Sequence, residues 1–305
     1  MSGTADIKVG YRCNNRCVHC VIADQRERAR TLRGNVDCSA REIDAQLLDA
    51  RRSGLTHIVF TGGEPTIRRD FLELLFRARA LGFQVSVQTN GRMLSNRAFA
   101  TRAARSGATF VVALHGADAP VHDAIVAANG AFTQTVAGIR NARAVGLCVV
   151  GKIVLSRMNA NVLPEIVGLL VSLGVSSVNV AFPHGLGHAR EGFDDVVPRY
   201  RDIGASLRRT LDVHSSQATI LFETVPYCWL HGYERHVAEE GYRRSDEPIV
   251  HKQLDLEVRD WHQARLEQKR KFPACVRCRH DAICEGVWKE YAEAYGGEEF
   301  EPVLG

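Results

Sequence analysis

"DIKVGYRCNNRCVHC", residues 6–20, joins a short alternating apolar run to three cysteines spaced C-x3-C-x2-C. The run reads as a β-strand, and it is the first of six: "HIVFTG", "QVSVQTN", "TFVVALHG", "CVVGKIVLS" and "SVNVAFP" follow. All are short, rich in Val and Ile and bounded by turn residues, as buried parallel strands are. Between them lie segments of helical period such as "AREIDAQLLDARR", "RDFLELLFRARAL" and "LPEIVGLLVSL". Ser39 and Glu42 form an S-x-x-E capping box, Ser95 is a second expected cap, and Gly54, Gly82, Gly107, Gly146 and Gly174 end helices just before the next strand. Regular β-α alternation implies a parallel sheet with right-handed crossovers. An open doubly wound sheet and a partial barrel both fit that pattern.

The unusual residues fall at corresponding places. The cysteines follow the first strand, Gly62, Gly63, Glu64 and Pro65 the second, and Thr89, Asn90 and Gly91 the third; "LHG" ends the fourth and "PHGLG" follows the sixth. In parallel α/β folds the C-terminal strand ends form one mouth where ligands bind. Composition narrows the class of function around that mouth. The chain has 305 residues, 45% hydrophobic, with no apolar run long enough to span a bilayer and no signal pattern, so a soluble, cytoplasmic protein is expected. Its 39 basic and 35 acidic residues are mixed, which gives nucleic-acid binding no support.

Six of nine cysteines form two tight groups, Cys13, Cys17, Cys20 and Cys275, Cys278, Cys284, a pattern of metal binding more than of disulfides in a reducing compartment. A structural zinc site wants four protein ligands. Three thiolates on one loop suit a [4Fe-4S] cluster with one iron lacking a protein ligand, and zinc completed by His19 or a distant residue is the plainer reading. In "GGEP" the two glycines allow close backbone approach to a ligand and Glu64 offers a carboxylate to an ammonium group. The same four residues also make a tight turn with Pro65 opening a helix.

Taken together, C-x3-C-x2-C after strand one, "GGEP" after strand two, "QTNG" after strand three and six βα units resemble the radical S-adenosylmethionine (SAM) superfamily over residues 5 to about 210. The resemblance implies a partial (β/α)6 barrel in which Cys13, Cys17 and Cys20 bind three irons of a [4Fe-4S] cluster while SAM chelates the fourth. It further implies reductive cleavage of SAM to a 5'-deoxyadenosyl radical that abstracts a substrate hydrogen atom, with an electron donor such as flavodoxin or ferredoxin. Two departures stand out. His19 occupies a position that is usually aromatic, and "ALHG" puts Ala113 and His115 where related enzymes often carry a serine against the SAM carboxylate. Lys152 is a candidate replacement. Asn159 and the Phe182–Gly187 loop resemble positions that approach adenosine.

"CVRCRHDAIC", with Cys228 upstream, is similar to the auxiliary-cluster domain called SPASM, or its shortened form called twitch, with Trp288 where a further cysteine would stand. The similarity implies one auxiliary [4Fe-4S] cluster on Cys228, Cys275, Cys278 and Cys284; four thiolates suit zinc as well. The chain is therefore read as a barrel over residues 1–210 and a cluster domain over 211–305. Cys38 is expected at the surface or semi-buried, and Cys148 in the core, where it is the one thiol offered as a hydrogen donor. His184, His188, Tyr227, Trp229 and Tyr233 are expected near the pocket. A small molecule is the expected substrate class, since no peptide-recognition segment precedes residue 5, and a ribosomally made peptide is the alternative.

Overall fold

The structure is a computed structural model that describes residues 3–244, 249–252, 257–258 and 261–305. Strands β1 (Thr4–Lys8), β2 (His57–Thr61), β3 (Gln84–Thr89), β4 (Thr109–Ala113), β5 (Cys148–Val154), β6 (Ser177–Ala181) and β7 (Thr219–Glu223) lie side by side in chain order, all parallel. A strand order with no reversal has no topological switch point, so it winds one way as a barrel does, and the sheet stays open at β7. This is the partial barrel, and it settles the choice that alternation alone left open.

The sheet continues past six strands. Helix Tyr200–His214 leads into β7, which pairs with β6 from Ser177↔Thr219 to Ala181↔Glu223. Residue 210, the expected boundary, lies inside the helix that connects β6 to β7. Strand β8 (Ile249–Lys252) adds to the other edge, parallel to β1, and a short β9 (Glu257–Val258) runs antiparallel to it. A short helix, Trp261–Glu267, follows in the described residues.

Alternation along each strand separates two environments. Ala5, Ile7, Ile58, Phe60, Val85, Val87, Phe110, Val112, Ile153, Val178, Val180, Ile220 and Phe222 are buried in the main apolar core. Many of the alternate positions are polar: Thr4, His57 and Ser86 are hydrogen-bonded across β1 to β3, and Lys8 reaches both Asp6 and Thr61. Fully buried parallel strands were the expectation; the closing curl gives them a polar inner face as well.

The local signals behave as their chemistry requires. The Ser39 hydroxyl accepts from Glu42 N at 3.2 Å while the Glu42 carboxylate accepts from Ser39 N at 2.7 Å, completing the capping box. At the second site the cap is Asn96, whose side chain accepts from Phe99 N; Ser95 points back and donates to the Arg92 carbonyl. The two spare cysteines exchange their expected places. Cys38 is only 3% exposed, because its segment lies along the end of β1 and Arg68 donates to its carbonyl at 2.8 Å. Cys148 is exposed, since it opens β5 at the end of the sheet opposite the mouth, and is thereby removed as a pocket hydrogen donor.

Candidate functional site

The cysteine loop is held from four sides by backbone and side chains. Gly63 N donates to Gly10 O and Glu64 N to Arg12 O, each at 2.8 Å. A Cβ at Gly62 would stand 2.1 Å from Gly10 O, and one at Gly63 2.2 Å from Arg12 O. The close approach these glycines permit is therefore to the loop backbone itself. On another side, Arg92 Nη1 donates to Asn14 O at 2.6 Å and to Asn15 Oδ1 at 2.8 Å, and Asn90 Nδ2 donates to Asn14 Oδ1 at 2.7 Å. Arg92 carried no signal in the chain, since its partners are 77 or 78 residues away.

From the sixth strand, His188 donates through Nδ1 to Cys17 O at 3.0 Å, and its backbone N–H donates to Cys20 O at 3.1 Å. Gly187 sits at φ +59°, and a Cβ there would lie 2.2 Å from Cys20 O. The "PHGLG" loop is thus a brace on the cysteine loop. Gly187→Ala should cost about 1–3 kcal/mol in local strain and lower iron retention on reconstitution, with the core still folded; iron per chain and circular dichroism, read together, check this.

His19 acquires a role. It is buried, its ring meets His115 edge to face at 4.7 Å, and His115 stacks on His122 at 6.0 Å. Backbone donors orient the set: His115 N–H donates to His122 Nδ1 at 3.0 Å, and Val154 N–H donates to His115 Nδ1 at 3.2 Å. Burial and then the mutual repulsion of the rings hold His19 down at about 4 and His115 well below the usual imidazole range, so this cluster packs neutral behind the cysteine loop. His19 fills the place of an aromatic side chain as a ring.

Glu64 is enclosed. Its carboxylate accepts from Thr66 N at 3.0 Å, from the Thr66 hydroxyl, from Thr89 Oγ1 at 2.7 Å and from Asn90 N at 2.6 Å. Burial pushes its pKa up against those four donors. The carboxylate knots the ends of β2 and β3 together, with Pro65 opening a short 3-10 turn as the motif suggested. Asn159 is another such knot: wholly buried, it accepts from Ser156 N and donates to His115 O and Val154 O, which takes it away from an adenosine contact.

One pocket gathers most of the expected residues. Cys13, Cys17, Cys20, Gly62, Gly63, Glu64, Asn90, Ala113, His115, Lys152, Phe182, His184 and His188 line a cleft of about 1610 Å³ counting its open mouth, at the C-terminal ends of the strands. Burial raises the three thiols, Cys13 to about 11. The half-buried Arg26, which also lines the pocket, pulls Cys13 and Cys20 back down, and backbone N–H groups of Ile22 and Ala23 at the start of helix Ala23–Arg33 do the same for Cys20. A helix start and a guanidinium favour thiolates that ligate metal. Among the described residues, no three His, Cys, Asp or Glu side chains converge as ligands of a single ion would.

Lys152 is paired. Its ammonium donates to Glu223 Oε2 at 2.7 Å across the open end of the barrel, and Glu223 also meets Arg265 at 3.3 Å. Burial alone would push Glu223 up, yet Lys152 and Arg265 outweigh it and hold the group at about 2. A depressed carboxyl pKa contributes stability that is full above the unfolded value of about 4.3 and is lost as pH falls through the folded one. Acid unfolding of Lys152→Met should therefore begin at a higher pH than in the parent, read by fluorescence between about pH 5 and 2.

The second cysteine group assembles as a set of four. Cys228 lies in the turn Tyr227–Trp229, Cys275 in the turn Pro273–Arg277, and both line one cavity with Cys278 and Cys284. Burial and then the other three thiols push Cys228 up to about 12, the mark of four sulfurs around one space. Tyr227 borders that cavity, whereas Trp229 and Tyr233 line neither it nor the barrel pocket. Trp288 points the other way, into the barrel pocket, where it stacks on His184 with ring centres 3.9 Å apart.

A profile described as the radical SAM superfamily matches residues 7–170, which contain the cysteine loop, "GGEP" and the pocket-lining ends of β1 to β5. This chain belongs to the radical SAM superfamily. The family carries a [4Fe-4S] cluster and uses SAM. The chain is 26% identical over 197 residues to the PqqA peptide cyclase of Rhodopseudomonas palustris, covering 65% of this chain and 51% of the relative. It is 31% identical over 160 residues to the Fe-coproporphyrin III synthase of Methanosarcina barkeri, covering 52% and 38%. It spans about half the length or less of these two curated relatives. Its fold is similar to that of Streptococcus suis SuiB bound to S-adenosylmethionine, with TM-score 0.64 at 16% identity, over 99% of this chain and 76% of that one. Among the described residues no helix is long and apolar enough to cross a membrane.

Proposed function

We propose that this chain is a radical SAM enzyme that abstracts a hydrogen atom from a substrate of natural-product biosynthesis. The convergence of Cys13, Cys17 and Cys20 with the "GGEP" turn at one pocket carries the reading. The donor set fits the group: three thiols, a helix start and a guanidinium meet at one loop, with no fourth thiol beside them among the described residues. When bound, the cluster supplies, from a reductant such as flavodoxin or ferredoxin, the electron that cleaves SAM to methionine and a hydrogen-abstracting 5'-deoxyadenosyl radical.

The chain's own residues do the rest. Gly62, Gly63, Arg92, Asn90 and His188 hold the loop's shape, and Ala113, His115, Val154 and Phe182 wall the space above it. The names of two similar proteins, a PqqA peptide cyclase and a structure of SuiB bound to its precursor peptide SuiA, favour a peptide substrate over a small molecule. Anaerobic reconstitution with reductant and SAM tests the chemistry, since failure to form 5'-deoxyadenosine would sink it. Comparison of peptides and metabolites from cells with and without the gene, sought as a loss of two hydrogens, tests the substrate.

The four C-terminal cysteines are proposed to hold an auxiliary [4Fe-4S] cluster that is closed by protein ligands and passes electrons. Residues 211–305 then supply β7 to the barrel and the cluster site beside it. Cys228→Ala should lose the iron of one cluster and abolish substrate turnover while leaving uncoupled SAM cleavage in place. Equal loss of both activities would refute the separation.

A further inference from the structure

Part of the pocket wall is built by two segments far apart in the chain. His184, just after β6, and Trp288, near the C-terminus, stack at 3.9 Å with an interplanar angle of 25°. On the Trp288 ring sits the buried Lys269 ammonium, 3.6 Å from the ring centre, a cation–π contact that fixes the indole. Gly185 locks the loop in place: a Cβ there would meet Phe193 at 2.4 Å and Glu290 Cβ at 2.9 Å. The position that carries a cysteine in the fuller C-terminal pattern is here part of the pocket wall.

The two nitrogens of His184 face different surroundings. Nδ1 is buried and lies 3.5 Å from Glu290 Oε2, a contact without a hydrogen bond, and neither atom has another polar partner among the described residues. A carboxylate this close to Nδ1 favours the ring proton there, which leaves the lone pair on Nε2. Nε2 has no protein partner among the described residues and is not among the enclosed polar atoms, so on a ring that lines the pocket it opens into that space. Burial, then the charges of Lys269 and Arg265, hold the ring at about 4, so the imidazole is neutral at neutral pH.

We propose that His184 is a substrate-anchoring residue whose Nε2 accepts a hydrogen bond from an N–H or O–H of the molecule bound between the cysteine loop and Trp288, with Glu290 fixing the ring's tautomer. An amide N–H or a hydroxyl meets this requirement; a substrate without a hydrogen-bond donor near its reacting carbon does not. The assignment rests on the radical SAM reading of the same pocket. A buried donor left without its acceptor weakens binding by about 1–3 kcal/mol, which corresponds to a roughly 5- to 150-fold rise in half-saturation.

Two variants separate the ring's stacking from its lone pair. His184→Phe keeps an aromatic face on Trp288 and removes the acceptor; His184→Gln removes the stack and keeps an acceptor. Reconstituted parent and variants are incubated with SAM, reductant and a dilution series of deproteinised extract from cells lacking the gene, and the species that loses two hydrogens is followed by mass. The expected result is a half-saturating extract level raised roughly 5-fold or more in the Phe variant and largely restored in the Gln variant. A Phe variant equal to the parent, or a Gln variant as poor as Phe, overturns the assignment. With the parent protein, absence of 5'-deoxyadenosine refutes the radical SAM reading instead, and 5'-deoxyadenosine without the mass change refutes the substrate reading, so each failure leaves its own distinct trace.

Discussion

Cys17→Ala reduces 5'-deoxyadenosine formation to background and removes the iron of the barrel cluster, while the far-ultraviolet circular dichroism of the chain stays that of the parent. The effect is large because the thiol is a direct ligand; loss of a mere supporting partner of a metal site costs about 10- to 100-fold. Cys17 lies centrally in its loop, braced through its carbonyl by His188 and flanked by Asn15 and Arg92. Its side chain can therefore be truncated without releasing the loop from β2, β3 or β6. A variant that keeps both its iron and its SAM cleavage would show that the three thiols are not the catalytic ligands. His188→Ala, which removes a brace and not a ligand, should fall between the two, losing iron by a factor within that 10- to 100-fold range.

Arg265→Ala carries the largest expected loss of stability, about 3–5 kcal/mol, read as a shift in the urea midpoint. Arg265 is 5% exposed and donates to three carboxylates: Glu285 at 2.8 Å, Glu223 at 3.3 Å, and Glu239. Removing the guanidinium leaves Glu223, Glu239 and Glu285 facing one another, with Lys152 still on Glu223 at 2.7 Å and Lys269 3.8 Å from Glu285. Deleting one partner of such a group is far more costly than replacing the group as a whole. Arg265→Met should therefore be nearly as damaging as Ala, and recover when Glu239→Gln and Glu285→Gln are added. A loss under about 1 kcal/mol for the single variant would show that the network contributes no more than a surface ion pair does.

The same network surrounds a strained residue. Thr224 has φ +58°, unusual for a β-branched side chain, and its groups are all engaged: N–H to Glu239, the carbonyl to Tyr200, the hydroxyl to Lys269 at 2.7 Å. Strain of this kind persists only where surrounding contacts over-determine the backbone. Here it turns the chain from β7 toward Cys228, joining the barrel mouth to the second cysteine group.

What could be read along the chain was whatever depends on neighbours in sequence. The cysteine spacing, the two glycines of "GGEP", the capping box at Ser39 and the helix-ending glycines are all requirements of a few consecutive residues, and each occurs as the chemistry of those residues demands. Parallel strands separated by helices follow from the change of hydrophobic period in the same local way. Ser95 against Asn96 shows the limit of that resolution: both are good caps, and one residue of phase decides between them.

Whatever depended on partners distant in the chain was decided only by the tertiary structure. Lys152 is an open cation in the sequence and a closed ion pair once β7 brings Glu223 beside it. Glu64, a carboxylate on offer to a ligand, is enclosed by Thr66, Thr89 and Asn90. His19 becomes intelligible only against His115, and Trp288 only against His184. Cys38 and Cys148 exchange burial because depth depends on which end of a strand a residue occupies and what lies over it, which hydropathy does not encode. Local chain chemistry thus determined that three thiols would stand at the mouth of a parallel α/β fold; long-range pairing of buried charge and rings decided which of the surrounding side chains remain free to meet a ligand.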